Sequence, residues 1–432
     1  MANDLGRPGH QPSAINRPFA IRARTLLPVT APPFDDGAVI VSGDRIRAVG
    51  RWADLKAGAA GLPVVDLGEA ILMPGLVNAH CHLDYTDMAG LCAPPKRFTD
   101  WIPQMLAAKA AWSYTDYAKS WLAGARMLLQ SGTTTVADIE AVPELLPEMW
   151  DATPLRVHSF LEMTGVRLKR GPKEILDETL EKIGSLAHAR SRASLSPHAP
   201  YSTSPELLRL CGDVARRRNL QIATHVAESE EEFDMFTDGR GKMFTWLQRN
   251  GRDMSDCGAG TPVQHLDRAG LLGENLVAIH ANVLTEDDIR ALGHNRCHVV
   301  HCPQSHDYFQ HPPFQRRQLV EAGVNVCLGT DSLATTRKTK QHPPRLDLFD
   351  EMRLLAKKDK TVSPAEILRM ATVNGAGALG LAGKAGELAE DAFADLIALP
   401  FTGKVADSTE AVVNLTSTIS VSMVDGSWAI AP

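Results

Sequence analysis

The feature that most constrains the fold is a series of about eight short apolar segments, each followed by polar or ionisable residues. Stretches with a three- and four-residue apolar spacing separate them, as in residues 114–131, and this spacing gives one face of a helix. Strands that alternate with helices predict a (β/α)8 barrel, with a doubly wound sheet as the alternative. The segments are ILMPGLVNAH, TTTVADI, LRVHSFLEM, ASLSPH, LQIATH, LVAIH, HVVHC and NVCLGTD.

Both ends of the chain are rich in strand-forming residues. A Gly-Asp pair at 43–44 separates two β-rich runs near the N-terminus, and an Asp-Gly pair at 425–426 does the same near the C-terminus. We therefore expect an α/β protein with a TIM-like (β/α)8 barrel over residues 73–382. Residues 20–72 and 383–432 are expected to form one small β-sandwich from both chain ends.

Charge and composition exclude several classes of protein. Lys and Arg number 45 against 51 Asp and Glu, a net charge of −6 without a basic block, so nucleic acid is not an expected partner. No apolar run reaches the roughly 18 residues that span a bilayer, so no membrane partner is expected. The seven cysteines are scattered and the N-terminus lacks the apolar stretch of a secretory signal, which indicates a cytoplasmic protein.

Four potential metal ligands lie at the ends of predicted strands. His80 and His82 are two residues apart, so their side chains point to the same face of a strand. His225 and Asp331 end two other apolar segments. Taken singly, each has an ordinary explanation as a hydrogen-bonded rim residue or a helix cap. Together at one rim, three imidazoles and a carboxylate suit Zn²⁺, and Fe²⁺ is also compatible.

Two further ionisable residues lie beside these ligands. Glu228 follows His225 by three residues, and His280 ends the segment LVAIH. A divalent ion lowers the pKa of water toward about 7, and neighbouring proton carriers are what hydrolytic deamination requires. The sequence thus predicts Glu228, His280 and Asp331 as catalytic residues.

Two polar segments admit two interpretations each. Residues 229–265 are either a lid over the site or a surface excursion, and the four acids within 230–234 are interpreted as a solvated helix face. The loop 337–345 is either solvated or a receptor for a substrate carboxylate. Its cations are Arg337, Lys338, Lys340 and Arg345.

Five ordered motifs resemble the amidohydrolase superfamily, and within it the mononuclear-metal deaminase branch with chlorohydrolase-like, S-adenosylhomocysteine deaminase-like and guanine deaminase-like enzymes. The motifs are PGLVNAHCHLDYT, SPHAPYSTS, THVAES, HCPQSH and LGTDS. The resemblance implies a proton shuttle at Glu228, a polar group near the attacking water at His280 and a substrate-contacting residue at His198. It also implies one divalent metal held by His80, His82, His225 and Asp331.

The segment HCPQSHDYF, which contains His306, is similar to that of aminodeoxyfutalosine deaminases. The resemblance therefore implies hydrolytic deamination of an aminopurine, such as aminodeoxyfutalosine, S-adenosylhomocysteine or methylthioadenosine, with His306 near the substrate. The alternatives are a hydrolase of s-triazines or chloro-heterocycles, a guanine-type deaminase and a non-catalytic assembly protein. The expected partner is a small purine or other N-heterocycle, and a homo-oligomer is compatible with the sequence.

Overall fold

The computed structural model describes residues 17–92, 94–166, 170–337 and 344–432. Within these ranges the chain forms sixteen strands. In chain order they are β1 Phe19–Leu26, β2 Phe34–Ser42, β3 Arg45–Arg51, β4 Val64–Asp66, β5 Ala70–Pro74, β6 Leu76–Cys81, β7 Thr133–Glu140, β8 Arg156–Met163, β9 Arg192–Pro197, β10 Ile222–Val226, β11 Leu276–His280, β12 His298–His301, β13 Asn325–Leu328, β14 Leu396–Pro400, β15 Val421–Val424 and β16 Ser427–Ile430.

Strands β6 to β13 form the barrel. Each pairs in parallel with the next along the chain, and a parallel bridge between Cys81 and Asp331 brings the first and last strands together. Fully buried apolar side chains such as Val77, Val277 and Val300 fill the interior. The predicted (β/α)8 barrel is confirmed, and all eight strands direct their C-terminal ends to one rim.

The first predicted strand is in fact two strands. The segment ILMPGLVNAH divides at Gly75 into β5, which belongs to the outer sheet, and β6, which belongs to the barrel. A Cβ atom at Gly75 would lie 2.1 Å from Thr134 Oγ1, so only glycine permits this close approach. The apolar run could not reveal the division because both strands are buried throughout.

The second sheet combines both chain ends, as predicted. Its strand order is β16-β15-β14-β5-β1-β2-β3, with β4 beside β1. Arg156 on β8 joins this sheet to the barrel, since its guanidinium lies 3.1 Å from Asp395 and 3.0 Å from Asp425. The pair with Asp395 is buried, so it fixes the orientation of the sheet on the barrel.

Helices cover the outside of the barrel. Ser204 and Ser363 cap two of them, and in each a proline occupies the first helical position. Among the described residues, no helix is both long and apolar enough to cross a lipid bilayer. The helices are α1 Trp52–Leu55, α2 Phe98–Ala110, α3 Tyr114–Gln130, α4 Leu146–Ala152, α5 Pro172–Ser185, α6 Pro205–Arg218, α7 Glu230–Asp238, α8 Lys242–Arg249, α9 Pro262–Arg268, α10 Glu286–His294, α11 Pro303–Phe309, α12 Arg316–Glu321, α13 Leu348–Lys358, α14 Pro364–Met370, α15 Val373–Ala378 and α16 Ser408–Val413; short 3₁₀ helices span Leu83–Met88, Pro143–Leu145, Leu333–Thr335 and Val405–Asp407.

Candidate metal centre and active site

The four side chains predicted as metal ligands meet at the C-terminal rim of the barrel, and all are buried. The Nε2 atoms of His82 and His225 are 3.3 Å apart. Asp331 Oδ1 lies 3.4 Å from His80 Nε2 and 3.8 Å from His82 Nε2. Ligands about 2.0–2.1 Å from a tetrahedral zinc ion are separated by about 3.3–3.4 Å, so two of these three spacings match such a shell and the third is wider.

The protonation states of these groups also fit a divalent ion. Burial, reinforced by neighbouring imidazoles, lowers the pKa of His82 and His225 well below the usual value, so both rings are neutral. The pKa of Asp331 is held well below its usual range because nearby imidazoles outweigh the effect of burial. His225 Nδ1 donates to the His198 carbonyl over 2.9 Å, which leaves Nε2 free for a ligand role. Nδ1 of His82 has no hydrogen-bond partner among the described residues.

Glu228 and His280 lie directly beside the predicted ligands. Both are buried, and Glu228 Oε1 is 3.5 Å from His280 Nε2. Burial, and then the charge of Asp331, raises the pKa of Glu228 well above its usual value. Burial lowers the pKa of His280 to about 3. Ala227, His280 and Asp331 have φ values of +51°, +72° and +53°, a strained conformation that is common at active sites.

The interpretation of the acids after Glu228 as a solvated face is wrong for Glu232. Glu230 and Asp234 are exposed, but Glu232 is fully buried and accepts a hydrogen bond of 2.8 Å from the backbone N–H of Glu228. Burial raises the pKa of Glu232 to about 8. Helix α7 turns this side chain toward the barrel, so Glu232 fixes the backbone that carries Glu228.

A cavity of about 600 Å³ opens above these residues, a volume typical of small-molecule sites. The segment 229–265 contributes one of its walls through α8, in agreement with its interpretation as a cover over the site. Lys242 on α8 lies 3.3 Å from Asp100 on α2, which links the two walls. Their aromatic and apolar lining includes Trp101, Ile102, Met105, Trp246 and Leu247.

Two ends of this cavity differ in chemistry. The metal end consists of His80, His82, His225, Asp331, Glu228 and His280. The far wall consists of Tyr85, Lys109 and Glu162, which also line the cavity. His198 lies between the two, since its ring centroid is 4.8 Å from that of His225 and its Nε2 is 4.0 Å from Glu162 Oε2.

His306 does not line this cavity. It lies on α11 and lines a second cavity of about 740 Å³ together with His301 and His311. Its Nε2 donates to the carbonyl of Pro312 over 2.8 Å. The structure therefore brings together the predicted ligands, Glu228, His280 and His198, and places His306 elsewhere.

The basic loop is also separate from the cavity where it is described. Arg337 is exposed and donates to the carbonyl of Asp307, while Arg345 lies 3.4 Å from Asp347. Lys338 and Lys340 lie outside the described residues. The cations that line the cavity are Lys109 and Arg170, as far as the structure describes it.

The sequence patterns did not single out Lys109, Glu162 or Glu232. Glu162 lies near the end of the apolar strand β8, and an acid in such a place is the same signal that identified Asp331. Lys109 lies in the last turn of α2 without a motif around it. Only packing shows that both side chains face the cavity.

This barrel rim, with its histidine and carboxylate cluster, is typical of metal-dependent hydrolases. The amidohydrolase family pattern matches residues 71–429. The chain therefore belongs to the amidohydrolase family, as the five motifs predicted, and it is a hydrolase that acts on carbon–nitrogen bonds.

Individual relatives agree with this assignment. The chain is 35% identical over 385 residues to a 5-methylthioadenosine/S-adenosylhomocysteine deaminase of Syntrophobacter fumaroxidans, covering 85% of this chain and 81% of that protein. Its fold matches a zinc-bound adenosine deaminase of Xanthomonas campestris with a TM-score of 0.82, 24% identity and 95% and 92% coverage of the two chains. It also matches Helicobacter pylori aminofutalosine deaminase in complex with methylthio-coformycin, with a TM-score of 0.83, 20% identity and 95% and 100% coverage.

Proposed function

We propose that this protein hydrolytically removes the amino group from the purine ring of adenosine derivatives. The observation that carries the proposal is the pairing of Glu228 with His280, over 3.5 Å, beside a group of His80, His82 and Asp331 whose ligand atoms lie close enough together to hold a divalent ion. The relatives that are at least 30% identical, named as deaminases of adenosine compounds, support the same substrate class. Adenosine deamination needs a proton carrier beside an activated water, which this pairing supplies.

The metal-binding residues in this proposal are His80, His82, His225 and Asp331. Zinc is the leading candidate and iron the alternative, because both accept imidazole and carboxylate ligands. When bound, the ion acts as a Lewis acid that lowers the pKa of water toward about 7.

The side chains at the metal end then carry out the proton transfers. Glu228 accepts a proton from the attacking water and passes it to ring nitrogen N1 of the purine. The water oxygen forms a bond to C6, while His280 and Asp331 orient that oxygen. The bond between C6 and the amino nitrogen then breaks, the amine takes the second proton of the water, and ammonia leaves an inosine-like product. His198 contacts the substrate beside this centre.

Within the adenosine derivatives, we propose aminodeoxyfutalosine, S-adenosylhomocysteine and methylthioadenosine as the candidate substrates. The similarity of HCPQSHDYF to aminodeoxyfutalosine deaminases favours the first, and the deaminase of Syntrophobacter fumaroxidans favours the other two. All three carry the same purine and ribose and differ beyond the 5′ carbon. The aromatic walls of the cavity suit the purine they share.

A substrate panel tests the proposal. Purified enzyme with its metal is incubated with the three candidates, adenosine, guanine and a chloro-s-triazine, and both ammonia and chloride are measured. We expect ammonia from adenosine compounds and none from guanine. Chloride release from the triazine without ammonia from any adenosine compound would reject the proposal in favour of a chloro-heterocycle hydrolase.

A further inference from the structure

Glu162 is an unusual acid within the cavity. It lies near the end of β8 and its side chain is only 12% exposed. Neither carboxylate oxygen has a hydrogen-bond donor within bonding distance among the described residues, since the nearest cationic groups are 4.0 Å away. This carboxylate lines the cavity and accepts no hydrogen bond from a described residue, so its lone pairs are available to donors of a ligand.

The two carboxylate oxygens of Glu162 have different neighbours. Oε1 faces Lys109 Nζ and Oε2 faces His198 Nε2, each at 4.0 Å. The Lys109 ammonium is in turn held by the hydroxyl of Tyr85. Both oxygens therefore lie beside a potential partner without a hydrogen bond to it, on a side chain that lines the cavity.

Glu162 is ionised, unlike the acids packed behind it. Burial raises its pKa, but Lys109 and His198 lower it by more, so the pKa lies below the usual value. Burial raises the pKa of Asp84 and Glu140 well above the usual values, and neither lines the cavity. The far wall thus presents one charged acceptor beside one lysine, while the other cation of the described cavity lining, Arg170, is paired with Glu178.

This charge balance selects the kind of ligand group. An anionic group would be repelled by Glu162, and a cationic group would be repelled by Lys109. A neutral group with two adjacent hydroxyls satisfies both oxygens of one carboxylate without adding charge. One nucleoside can also reach both ends, because His198 Nε2 lies 4.0 Å from Glu162 and the His198 ring centroid lies 4.8 Å from that of His225.

We propose that Glu162 binds the 2′- and 3′-hydroxyl groups of the substrate ribose, and that Lys109 positions its carboxylate. The inference rests on the proposed deamination of adenosine compounds and deepens it. The ribose donates one hydrogen bond to each oxygen, which places the purine toward Glu228. The far wall is then the part of the site that distinguishes nucleosides from free purines.

The test measures kcat/KM for adenosine, 2′-deoxyadenosine and 3′-deoxyadenosine with the metal-loaded enzyme. We expect the wild type to prefer adenosine by about tenfold or more over each deoxy compound, since each loses a hydrogen bond to a charged group. In Glu162→Gln the preference should fall below about threefold. Metal content and Tm are measured in parallel.

Glu140→Gln is the matched control. Glu140 is a buried acid on the neighbouring strand β7 that does not line the cavity, and a glutamine resembles its protonated form. This variant should keep the wild-type preference. Should Glu162→Gln fail to fold, Glu162→Asp, which keeps the charge on a shorter side chain, should lower the preference at least about threefold.

Two results would overturn the inference: a wild type that deaminates all three compounds equally, or a Glu162→Gln variant that retains the wild-type preference. Both leave the proposed deaminase activity standing. Absence of ammonia from every adenosine compound would instead reject the proposed function itself.

Discussion

The metal end and the far wall of the cavity are assembled in different ways. The predicted ligands of the metal end lie at or just after the C-terminal ends of barrel strands, where topology alone brings them to one rim. The far wall combines Tyr85 from a 3₁₀ helix, Lys109 from α2 and Glu162 from β8. The two proposals together assign the reaction chemistry to the barrel rim and the recognition of the ribose to elements packed around it.

The largest expected effect concerns the metal end. His80→Ala or Asp331→Ala removes a ligand, so metal content and kcat/KM should both fall below about a hundredth of the wild-type values. Metal analysis of the purified protein and an ammonia assay check this. The exposed His294 provides the control, because His294→Ala should bind metal normally. Full activity in metal-free protein would refute the assignment.

The second expected effect separates proton transfer from metal binding. Glu228→Gln should keep the metal and lose at least about 10²-fold in kcat, because the amide cannot carry the proton. Glu230→Gln, an exposed neighbour on the same segment, should leave kcat near the wild-type value. A Glu228→Gln enzyme with normal turnover would show that another group moves the proton.

The third expected effect concerns the support of Glu228. Glu232→Ala removes the acceptor of the Glu228 backbone N–H, so kcat should fall about tenfold while metal content stays unchanged. Asp234→Ala, at an exposed position of the same helix, should have no such effect. Equal kcat values in both variants would mean that Glu232 contributes to folding only.

A smaller effect is expected from the cavity walls. Trp246→Ala should raise KM about three- to tenfold and change kcat little, because an aromatic contact with the substrate is lost. The control is Gln248→Ala, on the exposed side of α8, which should leave KM unchanged. An unchanged KM would show that Trp246 does not contact the substrate. A large drop in kcat would show that it acts on the reaction at the metal end.

The smallest effect is expected from the basic loop. Joint replacement of Arg337 and Arg345 by alanine should change kcat/KM less than about twofold, since both are exposed and neither lines the cavity. The assay is run with aminodeoxyfutalosine, which carries a carboxylate, and with adenosine. A tenfold loss of kcat/KM with aminodeoxyfutalosine but not with adenosine would show that the loop binds the substrate carboxylate.

The sequence predicted those parts of the site in which local pattern and barrel topology suffice. His80 and His82 share a strand face, and His225, His280 and Asp331 end other strands, so the barrel alone brings them together. The barrel topology does not fix the positions of helical and loop residues in this way. His306 follows a strand in a recognisable motif, yet α11 places it in a second cavity.

The sequence by itself determined the alternation of strands and helices, the β-rich chain ends and the position of the predicted ligands at strand ends, because these follow from local periodicity. The choice of a closed barrel over a doubly wound sheet was decided by the parallel pairing of β6 to β13. The tertiary structure alone decided that Glu232 is buried, that Gly75 divides one apolar run into two strands, and that Glu162 and Lys109 face the same cavity. These outcomes depend on how helices and sheets pack against the barrel, and packing joins residues that no local pattern connects.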